Sequence, residues 1–170
     1  AEAIARNVYR TIGYRDELQV ITNIVRQSPD IAQGVDIGGA GDQGIMYGYA
    51  TDETPEFLQK GVVLVHALTR GLERLRKEGV VPWLGPDGKA QVTMEGSRIR
   101  TILVSAQHSP AVFHAEVEKT LTDKLIRPLV GDLTGISIYI NPTGAFTVGG
   151  FTADTGLTGR KLMVDTYGGL

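Results

Sequence analysis

The sequence predicts an α+β fold built on largely antiparallel sheets with helices on one face. Amphipathic helical segments and short β-branched segments are mixed along the chain, and no regular βαβ repeat orders them. With 170 residues, the chain can bury a core as one domain or as two small ones.

Four elements are predicted in the first half of the chain: a helix at 2–11, strands at 18–25 and 45–50, and a long helix at about 53–78. In both helical segments apolar residues recur at helical spacing. Gly13 and Gly79 follow the last apolar positions and are expected to end the two helices. Thr51 or Asp52 is expected to cap the long helix.

Five elements are predicted in the second half: strands at 90–95 and 98–106, a helix at 112–129, and strands at 136–140 and 146–148. The first two strands flank Gly96 and Ser97, as in an antiparallel hairpin. The last two flank a turn at Pro142–Gly144. The helix places its apolar residues on one stripe, formed by Val117, Leu121, Leu125 and Leu129.

Two glycine-rich segments, residues 34–53 and 141–169, embed charged residues in glycine. Glycine allows positive φ and lets a backbone approach a ligand closely. The segments therefore indicate either a small-molecule site or tight turns in a glycine-rich fold. Neither common nucleotide motif fits. The G-x-G-x-x-G at residues 39–44 precedes a predicted strand instead of a helix, and no G-x-x-x-x-G-K-[S/T] is present.

The composition of the chain argues against several classes of binding partner. With a net charge of −2 and a pI near 5.9, the chain has no positive electrostatic field that would attract nucleic acid or an anionic membrane. The chain contains no cysteine, which excludes disulfides and thiolate metal sites. It shows neither a leader-like start nor an apolar run of membrane-spanning length. We expect a soluble cytoplasmic protein without nucleic-acid or membrane partners.

Six sequence blocks occur in one order: SPDIAQGVD (28–36), GAGDQGIMYGYATDET (39–54), GPDGKAQVT (85–93), SAQHS (105–109), INPTG (140–144) and DTGLTGRKLMVDTYGG (154–169). Together they closely resemble the S-adenosylmethionine synthetase, or methionine adenosyltransferase, family. The resemblance covers nearly the whole chain, and it is to the middle portion of that enzyme.

The resemblance implies three α+β domains related by a pseudo-threefold axis, in a homodimer or tetramer whose active sites lie at the subunit interface. Residues 1–52 would be the end of the N-terminal domain with a shortened gate loop. Residues 53–141 would be the central domain, and residues 142–170 the start of the C-terminal domain. The implied reaction forms S-adenosylmethionine from ATP and L-methionine and releases pyrophosphate and phosphate. The family requires Mg²⁺ and K⁺, with ligands largely outside this chain and no metal ligand assigned within it.

Matching positions imply the site residues. The catalytic cations on the ATP phosphates would be Lys89, Arg160 and Lys161, although solvated surface cations are the alternative. The full set for ATP would be Asp42, Asp87, Gly88, Lys89, Ala145, Phe146, Arg160 and Lys161. Methionine would be held by Gln33, Asp42 and Asp154. Local bonding in turns is the alternative for the aspartates, and a core position is the alternative for Phe146.

The chain also departs from the family pattern. The upstream H-P-D-K loop and the downstream G-G-G-A-F-S-G-K-D segment have no counterpart, and the gate between Asp36 and Gly39 is cut short. We therefore expect the isolated chain to be inactive. The alternative function is a non-catalytic fragment or homologue that retains a nucleotide- or methionine-binding or assembly surface. His66 and His114 are assigned no chemistry, and His108 is expected to fix loop backbone by hydrogen bonding.

Overall fold

The structure is a computed structural model that describes residues 1–154 and 156–168. The chain divides into two units, Ala1–Gly48 and Tyr49–Leu170. Helices and a three-stranded sheet together confirm the α+β class. Within the described residues, no helix has both the length and the apolar character needed to cross a membrane.

The first unit contains α1 (Glu2–Ile12) and α2 (Pro29–Val35). Helix α1 ends at Gly13, whose φ of 123° suits glycine, as predicted. Tyr9 is buried and donates a hydrogen bond of 2.6 Å to the Asp16 carboxylate. That hydrogen bond raises the pKa of Tyr9 to about 12 and lowers the pKa of Asp16. The contact anchors the chain that follows α1.

Two predicted strands, 18–25 and 45–50, are wrong, because neither segment forms regular structure. Most of their apolar side chains are exposed, including Ile21, Ile24 and Val25. An apolar, β-branched sequence becomes a strand only where a neighbouring backbone completes the hydrogen-bond ladder. No described strand pairs with either segment.

The long helix α3 (Lys60–Lys77) begins later than predicted, so the proposed caps at Thr51 and Asp52 are also wrong. Residues 51–59 form turns instead: Thr54 Oγ1 donates to the Leu58 carbonyl at 2.6 Å, and Phe57 has a φ of 57°. Positive φ is incompatible with a continuing right-handed helix. The helix stops before Gly79, where φ is 70°, as predicted.

The sheet has the order β1-β2-β3, with β1 at Leu84–Glu95, β2 at Arg98–His108 and β3 at Ser137–Ile140. The predicted hairpin is confirmed, since β1 and β2 pair antiparallel around Gly96. Strand β3 pairs with β2 in parallel, with Ile102 opposite Ile138. One pairing is therefore antiparallel and the other parallel.

The predicted 112–129 helix is present as three joined pieces: α4 (His114–Leu121), a π-helical turn (Thr122–Ile126) and α5 (Arg127–Val130). Three of the four predicted stripe residues are buried, but Leu129 is 41% exposed. Ile126 is fully buried in its place. A π turn holds about one residue more than an α turn, so the apolar stripe shifts along the sequence there.

The core lies between the helices and one face of the sheet. Alternate β2 residues Ile102, Val104 and Ala106 pack into one cluster with residues of α3, α4 and the π turn, namely Leu64, Leu68, Leu72, Leu75, Val117, Leu121, Leu125 and Ile126. The opposite face of the sheet exposes Lys89, Gln91 and Tyr139. The helices thus cover one face, and the other face is left open within the second unit.

Candidate functional site

The predicted site residues fall in two places along the chain. Gln33 and Asp42 belong to the first unit. The second unit holds the larger group, which consists of Asp87, Gly88, Lys89, Ala145, Phe146, Asp154, Arg160 and Lys161. The second-unit residues occupy the start of β1 and the irregular segment after β3.

Gly88 and Lys89 lie in β1, opposite Ala106 and Ser105 of β2. A Cβ atom at Gly88 would lie 3.1 Å from the Ser105 carbonyl oxygen and 3.0 Å from Leu72 Cδ1, so glycine allows β1 to pack closely against α3. The Lys89 side chain is exposed and forms no ion pair with any described residue. It is available to meet an anion.

Asp87, the residue before Gly88, is tied to the segment after β3. Its backbone N–H donates to Gln107 Oε1 at 3.3 Å, and its carboxylate oxygen Oδ2 accepts the Gly150 N–H at 2.9 Å. Gln107 Nε2 in turn donates to the Thr147 carbonyl at 3.3 Å. We name these three hydrogen bonds the Asp87–Gln107 clip. Because the clip engages both the carboxylate and the N–H of Asp87, its backbone carbonyl is the polar group that these bonds do not use.

The turn after β3 is held by Asn141, which is 2% exposed. Its side chain accepts the Ala106 N–H at 2.8 Å and donates to the Ala106 carbonyl at 3.0 Å, so one amide pairs with the β2 backbone as another strand residue would. Asn141 has a φ of 43°, and Gly144 follows at 109°. The predicted Pro142–Gly144 turn is confirmed, with the Gly144 N–H bonded to the Asn141 carbonyl at 2.9 Å.

The predicted strand at 146–148 is wrong, because these residues pair with the end of β2 through isolated bonds only. The His108 N–H donates to the Phe146 carbonyl at 2.8 Å, and the Phe146 N–H donates to His108 Nε2 at 3.3 Å. His108 Nδ1 lies 3.0 Å from the Ser109 carbonyl, which assigns the proton to Nδ1. The expectation that His108 fixes loop backbone is confirmed. Phe146 itself is half-buried, and Ala145 is exposed.

Asp154, Arg160 and Lys161 lie in the irregular segment before α6 (Leu162–Asp165). All three side chains are exposed, and the two cations form no ion pair within the described part of the chain. Gly159 has a φ of 79°, so the backbone reverses immediately before the cations. The turn presents two adjacent positive charges to solvent.

In the first unit, the two residues predicted to bind the substrate methionine form hydrogen bonds with nearby backbone. Gln33 lies on α2 and donates from Nε2 to the Asp30 carbonyl at 2.9 Å. Asp42 Oδ1 accepts the N–H of the next residue, Gln43, at 2.7 Å. Both side chains are exposed, so the local bonding in turns that the sequence allows is present at Asp42.

The structure thus brings the start of β1 and residues 145–150 together, and it adds two residues that sequence reasoning did not single out. Gln107 joins the two segments, and Asn141 holds the turn that leads into the second. The asparagine itself was a usable signal, since asparagine tolerates positive φ better than most residues. Gln107 offers no comparable signal in a strand.

No metal centre is found in the part of the chain that the structure describes, where no group of three or more histidine, aspartate or glutamate side chains could hold an ion. The family resemblance places most of its metal ligands outside this chain, so nothing about a bound metal follows for the described residues. The functional groups that they do provide are exposed cations and a ring held by backbone bonds.

Fold and site define an α+β domain that presents lysine and arginine on glycine-rich turns. A family model described as "S-adenosylmethionine synthetase, central domain" matches residues 37–146, and the corresponding "C-terminal domain" model matches residues 148–170. The chain belongs to the S-adenosylmethionine synthetase family.

Relatives agree with this assignment. An S-adenosylmethionine synthase of Pseudothermotoga lettingae is 50% identical, over 88% of this chain and 44% of its own length. One from Desulforudis audaxviator is 46% identical, over 98% of this chain and 50% of its own. S-adenosylmethionine synthase 1 of Rhodopseudomonas palustris is 46% identical, over 99% of this chain and 49% of its own. The chain spans about half the length of the curated relatives that it matches.

Proposed function

We propose that the protein containing this chain synthesises S-adenosylmethionine from ATP and L-methionine, releasing pyrophosphate and phosphate. The observation that carries the proposal is a set of three exposed cations, Lys89, Arg160 and Lys161, that form no ion pair with described residues. They occur in a chain whose relatives are named S-adenosylmethionine synthase.

The proposed reaction makes simple demands on the protein. The methionine sulfur attacks C5′ of ATP, the S–C5′ bond forms, and the C5′–O bond breaks with its electron pair on the departing triphosphate. A thioether has no proton to lose, so no general base is needed in this step. Water then cleaves the triphosphate to pyrophosphate and phosphate. What the protein must supply is in-line placement of sulfur and positive charge on the leaving group.

The three cations meet the second demand. Arg160 can clasp two phosphate oxygens in a fixed geometry, whereas Lys89 and Lys161 act as movable point charges. Because no carboxylate among the described residues neutralises them, their full charge is available to the polyphosphate. We assign them to the triphosphate, where negative charge increases as the C5′–O bond breaks.

The remaining ATP-binding residues are proposed to be Asp42, Asp87, Gly88, Ala145 and Phe146, with Asp87 and Phe146 on the adenosine side. Phe146 is half-buried, and both its backbone groups bond to His108, so the backbone that carries the ring is fixed, and we assign the ring to stack on the base. Asp87 contributes backbone, since its carboxylate accepts the Gly150 N–H.

The methionine side is proposed to include Gln33, Asp42 and Asp154. Aspartate carboxylates can meet the methionine ammonium group, and the glutamine amide can both donate and accept. The Asp154 backbone N–H is bonded to the Gly150 carbonyl at 3.0 Å, which leaves its exposed carboxylate for a ligand.

Mg²⁺ and K⁺ are proposed as cofactors from family membership alone. Bound cations would neutralise polyphosphate charge. No residue of this chain is assigned as a ligand to either ion.

The proposed assembly is a cytoplasmic homodimer or tetramer with the active site at the subunit interface. The open sheet face, which exposes Lys89, Gln91 and Tyr139, supports this proposal because it carries a proposed phosphate cation on a surface free to meet another subunit. The proposed domain limits are 1–52, 53–141 and 142–170. A net charge of −2 supports partners other than nucleic acid or an anionic membrane.

Incubating the purified full-length protein with ATP, L-methionine, Mg²⁺ and K⁺ tests the function. We expect S-adenosylmethionine, pyrophosphate and phosphate in equal amounts, separated by ion-exchange chromatography, and no S-adenosylmethionine when methionine is omitted. Binding of ATP or methionine without product would instead support a non-catalytic homologue. ATP cleavage that does not depend on methionine would contradict the proposal.

Asp154→Asn tests the methionine assignment. Losing the charge that meets the ammonium group should raise KM for methionine roughly 10- to 100-fold, the range for a hydrogen bond to a charged group, while KM for ATP changes little. Asp165 is also exposed but lies in α6, so Asp165→Asn is the matched control and should change neither KM. A rise in KM for ATP alone would assign Asp154 to the binding of the nucleotide instead of methionine.

A further inference from the structure

We infer that Gln107 is a positioning residue that fixes the proposed phosphate-binding start of β1 against the segment carrying the proposed adenine-binding ring. The inference rests on the proposed function and adds a residue that the sequence comparison with the family does not assign. We assign Gln107 no contact with the reacting atoms. It acts through the backbone of its neighbours.

The position of Gln107 makes it a link between two segments far apart in the sequence. Its amide oxygen accepts the Asp87 N–H, and its amide nitrogen donates to the Thr147 carbonyl, each at 3.3 Å. Asp87 lies two residues before Lys89, and Thr147 directly follows Phe146. One side chain therefore connects the backbone beside the cation to the backbone beside the ring.

Close packing at Gly149 provides a second, independent observation. A Cβ atom there would lie 2.6 Å from Gln107 Oε1 and 2.8 Å from Asp87 Cβ, distances too short for any real contact. Gly149 has a φ of −136°, which any residue can adopt, so space and not backbone conformation requires the glycine. Gln107 and Asp87 thus form the two walls of a slot that admits only bare backbone. The Gly150 N–H then bonds to the Asp87 carboxylate at 2.9 Å.

The clip matters because one ATP molecule must meet both ends of it. The triphosphate would lie against Lys89 and the base against Phe146. The length of ATP therefore sets the distance between these two residues that the protein must maintain. Binding residues that are fixed by packed neighbours lose less conformational freedom on binding than residues on independent loops. Breaking the hydrogen bonds of the clip should therefore weaken the binding of ATP and leave the binding of methionine nearly unchanged.

Three variants of the full-length protein test the inference by steady-state kinetics. Gln107→Met keeps the side-chain length and removes both hydrogen bonds, so KM for ATP should rise about tenfold while KM for methionine stays within about twofold. Gln107→Glu keeps the acceptor for the Asp87 N–H but turns a carboxylate toward the Thr147 carbonyl and the Asp87 carboxylate, so KM for ATP should rise at least as far as in Gln107→Met. Gln91→Met, on the same open sheet face, is the matched control and should match wild type.

A measurement without turnover separates this inference from the proposed function. In Gln107→Met, hydrogen–deuterium exchange should quicken at the Asp87 and Gly150 amides, while amides in the middle of the β1–β2 hairpin stay protected. Calorimetric affinity for a non-hydrolysable ATP analogue should fall in parallel. Unchanged exchange would overturn the inference even if the enzyme is active. Equal losses for ATP and methionine, with a lower Tm, would also overturn it by showing a merely structural role. If wild type forms no S-adenosylmethionine, the proposed function fails, and exchange with analogue binding still decides the role of Gln107.

Discussion

Arg160→Leu is expected to lower kcat/KM for S-adenosylmethionine formation by roughly 30- to 900-fold, equivalent to about 2 to 4 kcal/mol of transition-state stabilisation. The reason is that negative charge on the leaving triphosphate increases as the C5′–O bond breaks, and a preorganised charged donor is worth more there than in the ground state. The effect should therefore fall on kcat as well as on KM for ATP.

Two controls define what the loss means. Arg160→Lys keeps the charge without the two-pronged geometry and should recover part of the rate. Arg98→Leu removes another exposed arginine that has no ion pair among the described residues, at the turn of the hairpin, and should leave the rate unchanged. Rates within twofold of wild type for a folded Arg160→Leu protein would refute the phosphate assignment.

Asn141→Ala is expected to reduce the free energy of unfolding by about 3 to 5 kcal/mol. The substitution leaves both the N–H and the carbonyl of Ala106 without their side-chain partner in a buried position, at roughly 1 to 3 kcal/mol each. It also places alanine at a φ of 43°, which costs about 1 kcal/mol more than asparagine does. Denaturant unfolding followed by circular dichroism measures the change.

Asn141→Gly separates the two causes, since glycine relieves the backbone strain but restores neither hydrogen bond. Thr143→Ala, exposed in the same turn, should change stability by less than about 0.5 kcal/mol. A loss below about 1 kcal/mol for Asn141→Ala would show that water satisfies Ala106 and that the amide does not hold the turn.

The elements predicted correctly are those whose cause is local. Helix α1 follows from the spacing of its apolar residues and from Gly13, and the β1–β2 hairpin follows from two alternating runs around Gly96. Residues 18–25 have the same kind of composition as a strand, yet form none, because a strand depends on a pairing partner that composition does not reveal. Leu129 shows a third case: helical periodicity was right until a π turn shifted it.

The site divides in the same way. Its cations and the Phe146 ring were identified from motifs, because chemistry is a property of residue type and motif context. Their assignment to ATP stays a prediction until tested. Gln107 and Gly149 were not found from the sequence, because each acquires its role when the end of β2 meets a segment 40 residues away. A strand glutamine and one glycine among 22 carry no sign of that approach.

The parallel pairing of β3 with β2 has a consequence for how the chain folds. The hairpin closes across a two-residue turn, whereas β3 must wait for the intervening helices, and the Asn141–Ala106 bonds close a loop of 35 residues. Loop-closure entropy therefore favours an early hairpin and a late β3. During that interval the outer edge of β2 is an unpaired template for the strands of other nascent chains. Slow arrival of β3 would make aggregation during synthesis depend on chain concentration, and faster docking of Asn141 would shorten the vulnerable period.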